Sequence, residues 1–254
     1  LKEGELAHRI IHFLVNVFAR LACRLRVVGR ENIPAHGPFI VVTNHLGAAD
    51  PPIIFGLIPQ RLELTGMAAM EHRHDPLIGW LMNKAGAIWV RRGESDREAL
   101  RESLDALARG HPLGVAPEGT RSDTGALVEG KTGITFLALK AGVPLVPLSL
   151  AGSERVFRDL RRLRRVRVDV HIGPPFCLPA RGSETRKEHM QYCTDLIMTR
   201  LASLLPERYR GFYAGHPLIG YWEELDAAGK SDQPGVKMEL LPQAKGRGNG
   251  SIPA

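Results

Sequence analysis

Between residues 38 and 173 the chain alternates short apolar runs with helical stretches, and this rhythm constrains the fold more than any other feature. PFIVV (38–42), RLELTGMA (61–68), AIWV (87–90), PLGVAP (112–117), VPLVPLSL (143–150) and RVRVDVHIG (165–173) read as strands, largely apolar and too short for helices. Helical patterns lie between and after them: Pro51 to Leu57, the stretch DPLIGWLMNKAG, 94–109, 133–142 and 184–204. In 94–109, Glu94 and Asp96 occupy the first turn and Gly110 follows the end, which is ordinary start and stop chemistry. Strands alternating with helices of this length predict an α/β fold, a mostly parallel sheet flanked by helices on both faces.

The two ends depart from the rhythm. Residues 6–26, LAHRIIHFLVNVFARLACRLR, read as one amphipathic helix with Arg9, His12, Asn16, Arg20 and Arg24 along a polar stripe. Ile10, Ile11, Phe13, Leu14, Val17, Phe18 and Leu21 cover the remainder. Such a helix either packs on the core or lies in a membrane interface, with its apolar face in lipid and its arginines at anionic headgroups. After Pro206 the segment ERYRGFYAGHPLIGYW is aromatic but aperiodic, and the chain from about 226 reads as a disordered tail. The expected organisation is therefore an N-terminal amphipathic helix (1–26), one domain (27–205) and a partly disordered extension (206–254).

The net charge of +7 calls for an anionic partner: nucleic acid, an anionic membrane or a phosphorylated substrate. Cys23, Cys177 and Cys193 are widely spaced with no CxxC pair, which disfavours a disulfide framework or zinc knuckle and fits a reducing compartment. No run of about 18 apolar residues marks a spanning helix.

Ligands of α/β proteins collect at the carboxyl ends of the strands, and the polar clusters of this chain fall there. TNHLGAAD (43–50) follows the first strand, Arg91 and Arg92 follow AIWV, and EGTRS (118–122) follows PLGVAP. His45 is suited to take a proton near neutral pH if a carboxylate such as Asp50 fixes its tautomer. Asp50 could equally cap the helix that Pro51 and Pro52 open. Arg92 and Arg121 suit bidentate contact with phosphate, Gly119 permits close backbone approach and Thr120 offers a hydroxyl. His72 and His74 match no strong metal motif, and no metal is expected. The chain contains no helix-opening GxGxxG and no GxSxG.

Four segments in order resemble the four blocks of the glycerolipid acyltransferase family, of the lysophosphatidic acid acyltransferase type. NHLGAAD resembles its N-H-x-x-x-x-D block, and GAIWVRR (86–92) its G-x-x-F-I-x-R block. PEGTRS is similar to its E-G-T-R block, and VPLVPL (143–148) to its V-P-hydrophobic-hydrophobic-P block. The resemblance spans about residues 26–205. It implies that His45 is the general base for an acceptor hydroxyl and that Asp50 orients it. It also implies that Arg92, Glu118, Gly119, Thr120 and Arg121 bind the acceptor's phosphate. Asn44, Lys131 and Pro144 are additional substrate contacts on this reading, with Pro144 shaping the acyl or acceptor pocket. No cofactor is implied. Acyl-CoA or acyl carrier protein serves as co-substrate and acyl donor, and a lysophospholipid, foremost lysophosphatidic acid, is the acceptor. Glycerol 3-phosphate or another lysolipid is the alternative acceptor. Family members often carry a lysine before the second block; here Ala69 and Met70 stand in that segment, and Lys131 is a substitute.

RDLRRLRRVRV (158–168) makes nucleic-acid binding the reading from another class, through Arg158, Arg161, Arg162, Arg164, Arg165 and Arg167. It lacks interleaved aromatic residues and any nucleic-acid-binding motif. Attraction to an anionic membrane surface is preferred, giving a peripheral, membrane-associated protein on the cytoplasmic face.

Overall fold

The computed structural model describes residues 3–76, 78–91 and 96–230. Its strands are β1 (Cys23–Val28), β2 (Ile40–Thr43), β3 (Thr65–Ala69), β4 (Ile88–Val90), β5 (Leu113–Val115), β6 (Leu145–Ala151) and β7 (Val166–Ile172). They form one seven-stranded sheet in the order β1-β7-β6-β2-β5-β3-β4. Every neighbouring pair is parallel except β6 with β7, so β7 and β1 run against the other five. The mostly parallel sheet read from the sequence is what the chain forms.

Helices cover both faces: α1 (Glu3–Ala22), α2 (Asp50–Leu57), α3 (Ile78–Lys84), α4 (Arg97–Ala108), α5 (Thr132–Ala141), α6 (Val156–Leu160), α7 (Arg186–Ser203) and α8 (Pro217–Ala227). Because successive strand residues point to opposite faces, β2 feeds two cores. Ile40 and Val42 pack with residues of α4, α5 and α7. Phe39 and Val41 pack with residues of α2, β7 and the end of α1. Both β2 and β6 are buried at every position, which is why they read as unbroken apolar runs rather than alternating ones.

The helix expected over 6–26 stops at Ala22, and Cys23 begins β1 without a loop. CRLRVV alternates with period two, and pairing with β7 from Cys23–Val166 to Val28–His171 outcompetes a further helical turn. Arg165 secures the junction by donating to the carbonyls of Arg20 (2.6 Å) and Cys23 (2.7 Å), which the helix end leaves unpaired. The polar stripe of α1 also differs from expectation. His12 and Asn16 are half-buried against α2, with His12 Nε2 3.3 Å from the Ile58 carbonyl oxygen. Ile11, Val15 and Ala19 pack inward, while Ile10, Phe13, Leu14, Val17 and Leu21 are exposed. This helix packs on the core through one face and shows an apolar face to the outside.

The segment after Pro206 is ordered, contrary to its aperiodic pattern. Two single turns (Glu207–Tyr209 and Gly211–Tyr213) lead into α8, and Tyr209, Tyr213, Leu218, Ile219 and Trp222 are buried. Buried Arg200 of α7 grips Asp226 of α8 through bonds of 2.7 and 2.9 Å, and its guanidinium lies 4.9 Å from the Trp222 ring centroid. Contacts of this kind arise from tertiary packing and leave no periodic trace. Residues 231–254 of the expected tail lie outside the described residues.

Candidate active site

β2 leaves the sheet at its carboxyl end after Thr43. Asn44 is fully buried, and its amide nitrogen donates to the Leu150 carbonyl (2.9 Å) while its amide oxygen accepts from the Leu150 N–H (2.8 Å). With both polar atoms used on β6, Asn44 is a structural staple and not the substrate contact expected of it.

His45 follows at the rim. Its Nδ1 lies 2.9 Å from Asp50 Oδ2, and its side chain keeps 19% of its surface exposed against 1% for Asp50. The same carboxylate oxygen accepts from the backbone N–H groups of Leu46 (2.6 Å) and Gly47 (2.7 Å). Asp50 is the first residue of α2, and Ala49 stands at the cap position without a side-chain bond. The carboxylate therefore folds back over its own loop toward His45 instead of capping the helix. With Nδ1 donating to Asp50, Nε2 is left as the basic nitrogen of a neutral imidazole.

The turn after β5 is fastened to this loop. Glu118 is 1% exposed, and its oxygens accept from the His45 N–H (2.8 Å) and the Val128 N–H (3.1 Å). Burial pushes its carboxyl above the usual range, opposed by those two amides. Both oxygens are occupied, and an anionic group repels phosphate. Glu118 is thus a clamp on the His45 backbone, and its expected place among the phosphate ligands is corrected. Ser122 adds a second stitch, its N–H donating to the His45 carbonyl at 2.9 Å.

Gly119 adopts φ +69°, a left-handed conformation that favours glycine, and turns the chain outward. Thr120 and Arg121 are consequently exposed on the rim. Lys131, also exposed, comes back to the same turn: its N–H donates to the Pro117 carbonyl at 2.8 Å, and its Cγ is 3.5 Å from where a Cβ on Gly119 would stand. Gly119, Thr120, Arg121 and Lys131 are brought together beside the histidine loop. Arg92 lies outside the described residues.

Pro144 is not at the site. It precedes β6, and its carbonyl accepts from the N–H of Ile40 at the start of β2 (2.9 Å). β2 and β6 are parallel, so Pro144 sits at the amino end of the strands, about 15 Å from the rim at 3.3 Å per residue. Pro144 is thus set apart from the histidine loop, because position within a sequence block does not say which end of a strand a residue occupies.

A second histidine–carboxylate pair escaped the sequence reading. His189 of α7, buried, has Nδ1 2.7 Å from Glu184 Oε1, and its Nε2 is 3.6 Å from the buried Cys193 sulfur. Burial pushes the Cys193 thiol up to about 12. Among the described residues no group of three His, Cys, Asp or Glu side chains is arranged to hold a metal ion.

A buried carboxylate, a rim histidine and a cationic turn at the carboxyl end of a parallel sheet define an α/β enzyme. Comparison with known proteins gives the family. The Acyltransferase family pattern matches residues 24–151. A lyso-ornithine lipid O-acyltransferase of Pseudomonas aeruginosa is 31% identical over 67% of this chain and 69% of its own length. A 1-acyl-sn-glycerol-3-phosphate acyltransferase of Chlamydomonas reinhardtii is 32% identical over 56% of this chain, but the match spans only 44% of that longer protein. The crystal structure of the 1-acyl-sn-glycerophosphate acyltransferase PlsC from Thermotoga maritima superposes with a TM-score of 0.58, at 26% identity, over 80% of this chain and 84% of that one. The chain belongs to the Acyltransferase family; it is an acyltransferase.

Proposed function

We propose that this acyltransferase moves a fatty acyl group from a thioester, acyl-CoA or acyl carrier protein, to the hydroxyl of a lysophospholipid, foremost lysophosphatidic acid. His45 Nε2 takes the proton from the acceptor hydroxyl while Asp50 stabilises the resulting imidazolium. The oxygen attacks the thioester carbonyl, the C–S bond breaks, and the thiol leaves with the proton returned by His45. The observation that carries this reading is the union of base and anion site. Glu118 ties the His45 backbone to the turn that exposes Thr120 and Arg121, so a phosphate held there sets the distance of a neighbouring hydroxyl.

A membrane partner fits the surface. Among the described residues no helix is long and apolar enough to cross a membrane. Yet α1 turns Ile10, Phe13, Leu14 and Leu21 outward, and Phe157 of α6 stacks on Phe18 with ring centroids 5.8 Å apart. The turn between α6 and β7 adds exposed Arg161, Arg162 and Arg164 around Leu163, which is 94% exposed. Because β7 runs antiparallel to β6, this turn and the end of α1 lie at the same end of the sheet as His45. Apolar side chains entering lipid, with arginines worth about 1 kcal/mol each near an anionic surface, would seat the catalytic rim on a bilayer. Nucleic acid fits less well: Arg158 and Arg167 pair with Asp159 and Asp169, and Arg165 is spent on backbone carbonyls.

The test is thiol release from acyl-CoA and acyl carrier protein across lysophosphatidic acid, glycerol 3-phosphate, lyso-ornithine lipid and neutral lysophospholipids. Preference for lysophosphatidic acid is expected. Preference for lyso-ornithine lipid, in keeping with the Pseudomonas relative and with Ala69 and Met70 where a lysine is frequent, would replace that acceptor. Sedimentation with anionic vesicles, and nucleic-acid retention on the same preparation, decide between the partners.

A further inference from the structure

The matched family region ends at residue 151, yet the segment from Tyr209 to Tyr213 is built into the loops that hold His45. The Tyr209 carbonyl accepts from the Leu127 N–H (2.9 Å), and the Leu127 carbonyl accepts from the Phe212 N–H (2.9 Å). The next residue, Val128, donates its N–H to Glu118, whose other oxygen holds the His45 N–H. Two residues further on, the Gly130 N–H donates to the Tyr213 hydroxyl oxygen (3.1 Å), in a place where Tyr213 is fully buried. Gly130 leads directly to Lys131 on the rim. The Tyr209 hydroxyl, for its part, donates to Glu154 Oε1 (3.1 Å). The Glu154 backbone lies against Gly47, its Cα 3.3 Å from where a Cβ on Gly47 would be, and Gly47 is one of the donors to Asp50.

The approach is too close for any other residue at one point. Gly211 has φ +47°, and a Cβ there would lie 2.2 Å from the Leu127 carbonyl oxygen. A glycine with both constraints lets the segment press its backbone onto residues 126–127. Supporting groups of this kind set the precision of a site, since misplacing a reacting group by about 1 Å costs on the order of a hundredfold in rate.

We propose that Tyr209, Gly211 and Tyr213 form a positioning element for acyl transfer. Tyr213 sets Lys131 through Gly130, and the contact of Gly211 with Leu127 sets His45 through Val128 and Glu118. This inference rests on the reading of His45 as the base and of Lys131 as an acceptor contact. It assigns the two arms different kinetic signatures. Tyr213→Phe leaves the buried Gly130 N–H without its acceptor and shifts Lys131, so the acceptor KM rises about tenfold with kcat nearly kept. Gly211→Ala displaces Leu127 and Val128, so kcat falls about tenfold or more with KM nearly kept.

The experiment measures kcat and KM for both variants, together with amide hydrogen exchange of peptides covering 44–50 and 127–131. Trp222→Phe serves as the control, a buried aromatic change in α8 outside this network. Faster exchange at 127–131 in Tyr213→Phe, with the KM effect and no such effect in Trp222→Phe, is the expected result. If Tyr213→Phe changes neither exchange nor acceptor KM, or if Trp222→Phe matches it in both, the positioning element is refuted. Should Gly211→Ala fail to fold, Tyr213→Phe decides alone. Wild-type protein that releases no thiol with any acceptor would refute acyl transfer itself, while exchange at 127–131 would still report on the Tyr213 contact.

Discussion

Among the described residues, two histidine–carboxylate pairs lie five residues apart in sequence, and their burial is opposite. In the pair His45–Asp50 the acid is 1% exposed and the histidine 19%, at 2.9 Å. In the pair His189–Glu184 the histidine is 5% exposed and the acid 35%, at 2.7 Å. Nearly equal geometry thus serves two ends. A base of the kind proposed for His45 needs one accessible nitrogen and a buried charge to orient it, and the exposures of the first pair fit that need. The second hides its histidine behind an acid that faces water, and its nearest reactive neighbour, Cys193, is held as a thiol by burial. Resemblance to a triad by distance alone carries no chemistry when access is missing.

Substitutions separate the pairs, beginning where the contrast is greatest. His45→Ala should lower kcat by about a thousandfold with the melting temperature essentially unchanged, and near-normal turnover would end the case for a base at this position. Asp50→Asn, which also weakens the bonds from Leu46 and Gly47, should cost about a hundredfold in kcat through the loss of the correct histidine tautomer. Glu118→Gln should cost about tenfold, because an amide NH2 then faces a backbone N–H at one end of the clamp; unchanged kinetics would leave His45 held by other means.

For the second pair, His189→Ala should lower the melting temperature by a few degrees while keeping kcat within about twofold. Backbone amides, those of Glu184 itself and Gly182 first, hold the Glu184 carboxyl below its ordinary range. A depressed folded-state value stabilises above the ordinary carboxylate range and is lost as pH falls through it, so Glu184→Gln should destabilise at neutral pH and converge with wild type in acid. The smallest effect is expected from a thiol reagent at neutral pH. Exposed Cys177 should be labelled, Cys23 and Cys193 spared, and turnover unaltered; rapid labelling of Cys193 would show that the second pair is accessible after all.

Much of the rim was legible in the sequence because it is made of local features. His45 and Asp50 flank one loop, and Gly119 to Arg121 form one turn, so strand ends and turn chemistry located them. What escaped depends on partners distant in the chain. Glu118 reads as polar and available, and only the amides of His45 and Val128 make it a buried clamp. Asn44 is spent on Leu150, over a hundred residues away. β1 was hidden because RLRVV continues the basic-apolar character of α1, and its strand identity comes from β7. Tyr209 and Tyr213 sit in a stretch with no period, since their order comes from the loops they touch.

Asn44 has a consequence for thermal motion. Its side-chain amide makes the donor and acceptor bonds to Leu150 that a strand's own peptide would make, so the ladder continues one step past the point where the main chain departs. The His45 peptide is then claimed on another side by Glu118 and Ser122. His45 shares the stiffness of the central sheet without belonging to it. Vibrational amplitude should therefore rise abruptly between His45 and the exposed tip at Thr120 and Arg121, leaving a steady histidine beneath a pliant collar.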